Sequence, residues 1–145
     1  MSGLIPILTV AVQFSCIAAI AFSGGLFAGS NSGRIAQVGA ALLGLWALWA
    51  MPRASINVSP VVRSGAVLAG RGPYRLIRHP MYSAVLMFCA AAVLDNPGWF
   101  NGLWLLILTA DLIFKLRYEE GRLRERFPQY QQYARETWRL VPWIY

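Results

Sequence analysis

Four apolar runs dominate the chain and limit what it can fold into. They cover residues 4–28, 35–51, 81–94 and 99–116. A membrane-spanning helix needs about 20 apolar residues, and a helix made of the third run would span only about 21 Å. Of the 145 residues, 57% are hydrophobic and 13% are charged, whereas soluble domains carry roughly 25% charged residues. The sequence therefore predicts an all-α integral membrane protein with about four transmembrane helices.

The distribution of basic residues predicts the orientation. The chain has 13 Lys and Arg against 6 Asp and Glu, for a net charge of +7. With four spans, every basic residue except Arg34 falls on one side, and the excess of Lys and Arg marks the cytoplasmic side. We therefore expect both termini in the cytoplasm, in a bacterial inner membrane. Because the Arg residues flank apolar runs, we attribute the positive charge to anionic headgroups and expect no nucleic acid partner.

We divide the single membrane domain, residues 1–145, into four parts. Residues 1–52 form the first two spans, 53–80 a cytoplasmic connection that includes an extended segment at 54–58, 81–116 a helical hairpin, and 117–145 a cytoplasmic C-terminal helix and tail. Gly25 and Gly29 form a GxxxG pattern, which packs helices closely or belongs to the turn, so the oligomeric state stays open. Cys16 and Cys89 lie in apolar runs, so we expect buried thiols and no metal site.

The segment before the third run concentrates unusual residues. Within residues 70–82 lie three Arg and His79, the only His of the chain, directly before Pro80. Proline suits the first position of a helix, and the free N–H groups behind it attract anions. With Arg78 beside it, this segment predicts a carboxylate or phosphate site. The alternative is a basic anchor at the headgroups.

Two adjacent carboxylates follow the fourth run. On a helical wheel, Glu119 and Glu120 straddle an apolar stripe that consists of Leu112, Leu116, Leu123 and Phe127. Carboxylates on an inner face need a partner. The pattern therefore predicts a buried salt bridge to Arg75 or Arg78, or binding of a cationic ligand, and it does not choose between them.

Two further features have competing interpretations. Asp111 lies inside an apolar run, which suggests function, but Lys115 is one turn later, so a local pair that reaches the membrane interface is favoured over a ligand role. The tail is rich in aromatic residues, which pack at the interface or line a nucleotide pocket: Tyr130, Tyr133, Trp138, Trp143 and Tyr145.

These residues, in this order, resemble the isoprenylcysteine carboxyl methyltransferase and phospholipid methyltransferase superfamily. The similarity covers residues 70–142, about half of the chain. It rests on Gly-Pro-Tyr-Arg at 72–75, Arg-His-Pro-Met-Tyr at 78–82, a hydrophobic hairpin, the Glu-Glu pair, and then Leu123, Phe127, Tyr130, Tyr133, Arg139 and Pro142. The length is typical of small bacterial members.

The resemblance implies an integral membrane methyltransferase that uses S-adenosylmethionine. It implies that the cofactor carboxylate is bound by Arg78 and the helix start at Pro80, with His79 close by. Glu119 or Glu120 binds the ammonium or the ribose hydroxyls, and Tyr74 and Tyr82 pack against adenine or the sulfonium. The resemblance leaves open which of the two carboxylates contacts the cofactor.

The acceptor implied by the resemblance is lipophilic and enters between the spans. A prenylcysteine-like carboxylate acceptor needs no base and favours Arg75 as its partner. A lipid amine must lose a proton, to His79 or to a carboxylate such as Glu120. Three alternatives remain: a small four-span transporter, a membrane reductase of the sterol-reductase type, and a non-catalytic membrane scaffold.

Overall fold

The computed structural model describes residues 4–52 and 70–145, which form helices joined by short connections. The helices are α1 (Leu4–Gly24), α2 (Asn31–Ala50), α3 (Pro80–Asp95), α4 (Trp99–Arg126) and α5 (Tyr130–Glu136), with a 3₁₀ turn at Gly72–Arg75. The described residues contain no strand, only an isolated bridge between Ile77 and Trp138. The all-α prediction is therefore confirmed. The predicted extended segment 54–58 lies outside the described residues.

Three of these helices are long and apolar enough to cross a membrane, namely α1, α2 and α4. The fourth, α3, has 16 residues, which as a helix span about 24 Å. Large apolar side chains cover the outside of the bundle, and Phe22, Trp49 and Trp99 are each at least 80% exposed. Such a surface suits lipid rather than water, so the prediction of an integral membrane protein is confirmed.

Two helix pairs form the bundle, with α2 packed on α3 and α1 packed on α4. The core between them includes Cys16, Cys89, Leu108 and Leu112. Both cysteines are buried free thiols, as predicted. A Cβ added to Gly44 of α2 would lie 3.5 Å from the Ala84 Cβ on α3, so small residues let these helices approach closely.

The turns after α1 and after α3 meet at one end of the bundle. Asp95 at the end of α3 accepts hydrogen bonds from the backbone N–H groups of Gly29 and Ser30. Gly25 follows α1 with a φ of +86°, a conformation that glycine adopts without strain. Gly25 and Gly29 therefore belong to a turn. The start of α3, the 3₁₀ turn and the C-terminal tail meet at the opposite end.

Candidate active site

The C-terminal tail runs beside the segment that leads into α3 and fixes its backbone. The Arg78 and His79 N–H groups donate to the Trp138 and Arg139 carbonyl oxygens at 2.7 and 3.0 Å, and Trp138 N–H donates to the Leu76 carbonyl at 2.9 Å. Farther along, the Ser83 hydroxyl donates to the Leu140 carbonyl at 2.6 Å. Residues about 60 positions apart in the sequence thus form one rigid unit.

The 3₁₀ turn, which precedes the segment that leads into α3, holds Tyr74 in a buried position. Gly72 has a φ of +55°, and a Cβ there would lie 2.7 Å from the Ala50 Cβ at the end of α2. Only glycine fits this close approach without strain. Tyr74 is 4% exposed, and its carbonyl oxygen accepts a hydrogen bond from the Tyr133 hydroxyl at 2.7 Å. The turn is therefore held by both α2 and α5.

Helix α3 begins as the sequence predicts, with Pro80 in its first turn and His79 as the preceding residue. The Ser83 N–H donates to the His79 carbonyl at 3.1 Å, which is the first bond of the helix. The N–H groups of Met81 and Tyr82 lie before it, and the first N–H groups of a helix have no partner within the helix. They give this end of α3 a partial positive charge.

Glu120 is the centre of a buried ionic cluster. Its side chain is 2% exposed, and its Oε1 lies 2.9 Å from the Arg78 Nε. The Arg139 Nε and the Arg124 guanidinium lie 3.2 and 3.3 Å from Oε2. Arg78 also donates from Nη1 to the carbonyl oxygens of Thr137 and Ala134. Of the partners predicted for this carboxylate, Arg78 is therefore the one that forms the salt bridge.

His79 lies between the two carboxylates. Its Nδ1 is 3.7 Å from Glu119 Oε2, and its Nε2 is 3.6 Å from Glu120 Oε1. The imidazole stacks on the Tyr82 ring with centroids 5.4 Å apart, and the Tyr82 hydroxyl donates to Glu119 at 3.1 Å. Although His79 is 6% exposed, its Nε2 has no hydrogen-bond partner among the described residues. This buried atom faces Glu120, and the His79 side chain lines a cavity.

That cavity, which we call the site cavity, has a volume of about 110 Å³. It lies where α1, the end of α2, the 3₁₀ turn, α3 and α4 meet. Its lining includes Gln13, Tyr74, Arg78, His79, Pro80, Met81, Tyr82 and Glu119. Burial raises the pKa of the Tyr74 hydroxyl, so it stays protonated at physiological pH. This hydroxyl also has no partner in the described part of the chain.

A second cavity, the tail cavity, shares Arg78 with the site cavity and has a volume of about 390 Å³. Its lining consists of Arg78, Ala134, Arg135, Glu136, Thr137, Trp138, Arg139 and Tyr145. Arg78 therefore borders both cavities. Small-molecule sites usually measure at least about 300 Å³, so of these two cavities in the described residues the tail cavity has the size for a cofactor, while the site cavity admits only part of one.

Most of the predicted site residues converge here, and Arg75 does not. Tyr74, Arg78, His79, Pro80, Tyr82 and Glu119 line the site cavity, and Glu120 lies directly behind them. The Arg75 side chain is exposed and lines neither cavity. Of the aromatic tail, Trp138 and Tyr145 line the tail cavity, while Tyr130 is fully buried and Trp143 is 78% exposed.

The expected pair of Asp111 with Lys115 is wrong. Lys115 is fully buried, and its ammonium donates to the Gln13 side-chain oxygen. Asp111 Oδ2 is buried without a hydrogen-bond partner among the described residues. Because α1 packs on α4 and supplies a polar acceptor, the ammonium has no need to reach water. The interhelical contact that decides this outcome is not encoded in the spacing of the two residues.

Sequence reasoning missed Gln13 and Arg124 as parts of the site, and it named Tyr133 without predicting its contact with the 3₁₀ turn. Gln13 lies on a different helix from every predicted residue, and Tyr133 acts through its hydroxyl on the backbone of Tyr74. Arg124 had a local signal, because it stands one turn after Glu120 on the same helix, the usual spacing of an ion pair. The contributions of Gln13 and Tyr133 depend on tertiary contacts alone.

Comparison with known proteins agrees with this geometry. No curated protein and no solved structure matches the chain. Residues 31–130 match the family described as phospholipid methyltransferase, a stretch that spans α2, α3 and α4 and reaches the first residue of α5. It includes the segment around Arg78 and His79 and both carboxylates of α4. The chain therefore belongs to the phospholipid methyltransferase family.

Proposed function

We propose that this membrane methyltransferase uses S-adenosylmethionine and methylates a lipophilic acceptor at the cytoplasmic face of the membrane. One observation carries the proposal. At the end of the bundle that holds the basic residues, a cavity brings together the N-terminus of α3, the buried His79 and the Glu119 carboxylate. These groups match the carboxylate and the ammonium of the cofactor's amino-acid part.

Glu119 is the carboxylate we assign to the ammonium. Its side chain is 29% exposed, it lines the site cavity, and it accepts one hydrogen bond, from Tyr82. Glu120 is instead surrounded by guanidinium groups and lies outside the cavity lining. We therefore assign Glu120 a positioning role, in which it holds Arg78 and one side of His79.

The start of α3 and Arg78 are the groups we assign to the cofactor carboxylate. The first N–H groups of a helix bind anions, and Pro80, Met81 and Tyr82 all line the site cavity. The Tyr82 ring, stacked on His79, offers a π-face to a sulfonium cation. We assign the nucleoside to the tail cavity, where Trp138 and Tyr145 supply aromatic surface.

The bound cofactor supplies a methyl group on a cationic sulfur. The residues of the chain hold the acceptor and this methyl in line and exclude water, because most of the rate gain in such a transfer comes from positioning. A carboxylate acceptor transfers no proton. An amine acceptor must release one, and we assign its acceptance to the imidazole of His79, which lines the site cavity.

Calorimetric titration with S-adenosylmethionine and S-adenosylhomocysteine tests the cofactor. We expect saturable micromolar binding by purified wild-type protein in detergent and in lipid nanodiscs. Glu119→Gln is expected to weaken binding by at least about tenfold, since a hydrogen bond to a charged group contributes about 1.5–3 kcal/mol. Glu125→Gln is the matched control, because Glu125 is on the same helix with its side chain 72% exposed.

The two outcomes have separate meanings. A folded protein that binds neither cofactor form in nanodiscs refutes the proposed function. Binding that Glu119→Gln and Glu125→Gln weaken equally refutes the assignment of Glu119 and leaves the cofactor in place.

Transfer of a labelled methyl group from S-adenosylmethionine identifies the acceptor class. We would offer phosphatidylethanolamine in vesicles and N-acetyl-S-farnesylcysteine in parallel, then treat the products with alkali. A methyl ester releases its label as volatile methanol, whereas an N-methyl group keeps it. The result distinguishes the carboxylate from the amine acceptor.

A further inference from the structure

A buried polar pair joins α1 to α4 beside the site cavity. Lys115 is fully buried and Gln13 is 8% exposed, and the ammonium donates to the Gln13 side-chain oxygen. The ammonium also lies 5.8 Å from the centre of the Tyr82 ring. Burying an ammonium in an apolar bundle is costly. The contact with Gln13 partly offsets this cost. The contact also has a consequence for the orientation of the Gln13 side chain.

The ammonium fixes the direction of the Gln13 amide. An ammonium only donates hydrogen bonds, so the oxygen of the amide must face Lys115. The NH₂ group is then turned elsewhere, and it has no acceptor among the described residues. Gln13 lines the site cavity together with Tyr74, whose buried hydroxyl likewise has no partner in this part of the chain. The two side chains offer the cavity hydrogen-bond donors.

Of these two donors, Gln13 stands apart from the groups assigned to the cofactor. Arg78, His79 and the N-terminus of α3 come from the segment around residue 80, and Glu119 comes from α4. Gln13 is on α1, outside the residues that match the family. The α1 wall of the cavity is therefore available to the second substrate.

We propose that Gln13, oriented by Lys115, donates a hydrogen bond to an oxygen atom in the headgroup of the lipid acceptor and so positions it for methyl transfer. This inference rests on the proposed function. Lys115 is a positioning residue that acts through Gln13, and Gln13 contacts the acceptor. The acceptors that fit are lipids with a carbonyl, carboxylate or phosphate oxygen next to the methylated group.

Three variants and one control test the inference. Gln13→Leu removes the donor, Lys115→Met releases the amide, and the double variant replaces the pair by apolar groups. The double variant is expected to fold even where Gln13→Leu does not, because it leaves no unpaired buried ammonium. Thr9→Val is the control, since Thr9 is a buried polar residue one turn earlier on α1 and bonds only to the Pro6 carbonyl.

The measurement separates acceptor from cofactor. For each variant, we would determine the Kd of S-adenosylhomocysteine and the acceptor KM for phosphatidylethanolamine vesicles and N-acetyl-S-farnesylcysteine. For Gln13→Leu we expect an unchanged Kd and an acceptor KM about tenfold higher, the effect of one lost hydrogen bond. The double variant is expected to match Gln13→Leu in its acceptor KM, because the proposed effect of Lys115 on the acceptor runs through Gln13. Thr9→Val is expected to leave both constants unchanged.

Binding without turnover is followed separately. A probe that is not methylated is added to protein saturated with S-adenosylhomocysteine, and the rise in Tm that it causes reports its binding. We expect a smaller rise in Gln13→Leu than in the wild-type protein.

An acceptor KM or Tm rise that Gln13→Leu leaves unchanged overturns the inference. So does a wild-type protein that binds S-adenosylhomocysteine but neither probe. Loss of cofactor binding in Gln13→Leu also overturns it, because Gln13 would then serve the cofactor. A wild-type protein that binds no cofactor instead refutes the proposed function.

Discussion

Arg78 and Glu120 form a buried ion pair across 42 positions of sequence, with Nε and Oε1 2.9 Å apart. The same carboxylate is 3.2 Å from the Arg139 Nε. One side chain of α4 therefore holds both the segment before α3 and the C-terminal tail. Because this pair fixes the backbone that carries His79, it determines the geometry of the site.

Replacing Glu120 by alanine is expected to destabilise the protein by about 3–5 kcal/mol. The change leaves Arg78, which is 8% exposed, as a buried charge without its carboxylate, and breaking one side of a buried pair has this cost. Glu119→Gln is expected to change stability much less, because the Glu119 side chain is 29% exposed. Reversible unfolding in mixed micelles gives the free energies of unfolding. Equal losses for the two variants would contradict the assignment of Glu120 as the structural carboxylate.

The sequence predicted the helices and the membrane class because the responsible signals are local. Pro80 starts α3, and the apolar runs end at turns. The inward position of Glu120 also followed from helical spacing, since it shares a face with Leu116, and both are buried.

The tertiary contacts were not predictable in the same way. The tail lies beside residues 76–79 through backbone hydrogen bonds, which leave no pattern of side chains. Lys115 turns toward Gln13 because α1 packs on α4. The residue pattern of α1 or of α4 alone does not show that these two helices pack on each other.

Gly72→Ala is expected to destabilise the protein by at least about 1–2 kcal/mol. A non-glycine residue pays roughly this amount at positive φ, and the new Cβ would also meet Ala50 at 2.7 Å. Gly121→Ala is the matched control. Gly121 lies inside α4 with nothing within 4 Å of an added Cβ, so alanine there is expected to stabilise by about 0.5–1 kcal/mol. A shift in Tm of the same sign in both variants would contradict the role given to Gly72.

Arg75→Ala tests the predicted partner of a carboxylate acceptor. Because the Arg75 side chain is exposed and lines neither cavity, we expect unchanged stability and an unchanged Kd for S-adenosylhomocysteine. For the same reason we expect the KM of N-acetyl-S-farnesylcysteine and of phosphatidylethanolamine to stay unchanged. A KM raised for N-acetyl-S-farnesylcysteine alone would show that Arg75 contacts a carboxylate acceptor after all.

Tyr133 makes stability depend on pH in the alkaline range. Burial raises the pKa of its hydroxyl to about 12, against about 10 in an unfolded chain. As the pH rises past about 10, the unfolded state loses this proton first, so the contribution is complete below pH 10 and is lost between about 10 and 12. Tyr133→Phe removes one such proton and also the hydrogen bond to the Tyr74 carbonyl.

The variant is therefore expected to be less stable than wild type at pH 8, by about 1 kcal/mol for the lost bond. Near pH 11 its free energy of unfolding should fall less steeply, by up to about 1.4 kcal/mol per pH unit, the value for one proton. Burial also raises the pKa of Tyr74 and Tyr130, so some slope remains in the variant. Parallel curves for the two proteins between pH 9 and 12 would show that the Tyr133 hydroxyl titrates alike in both states, and that it does not anchor α5 to the 3₁₀ turn.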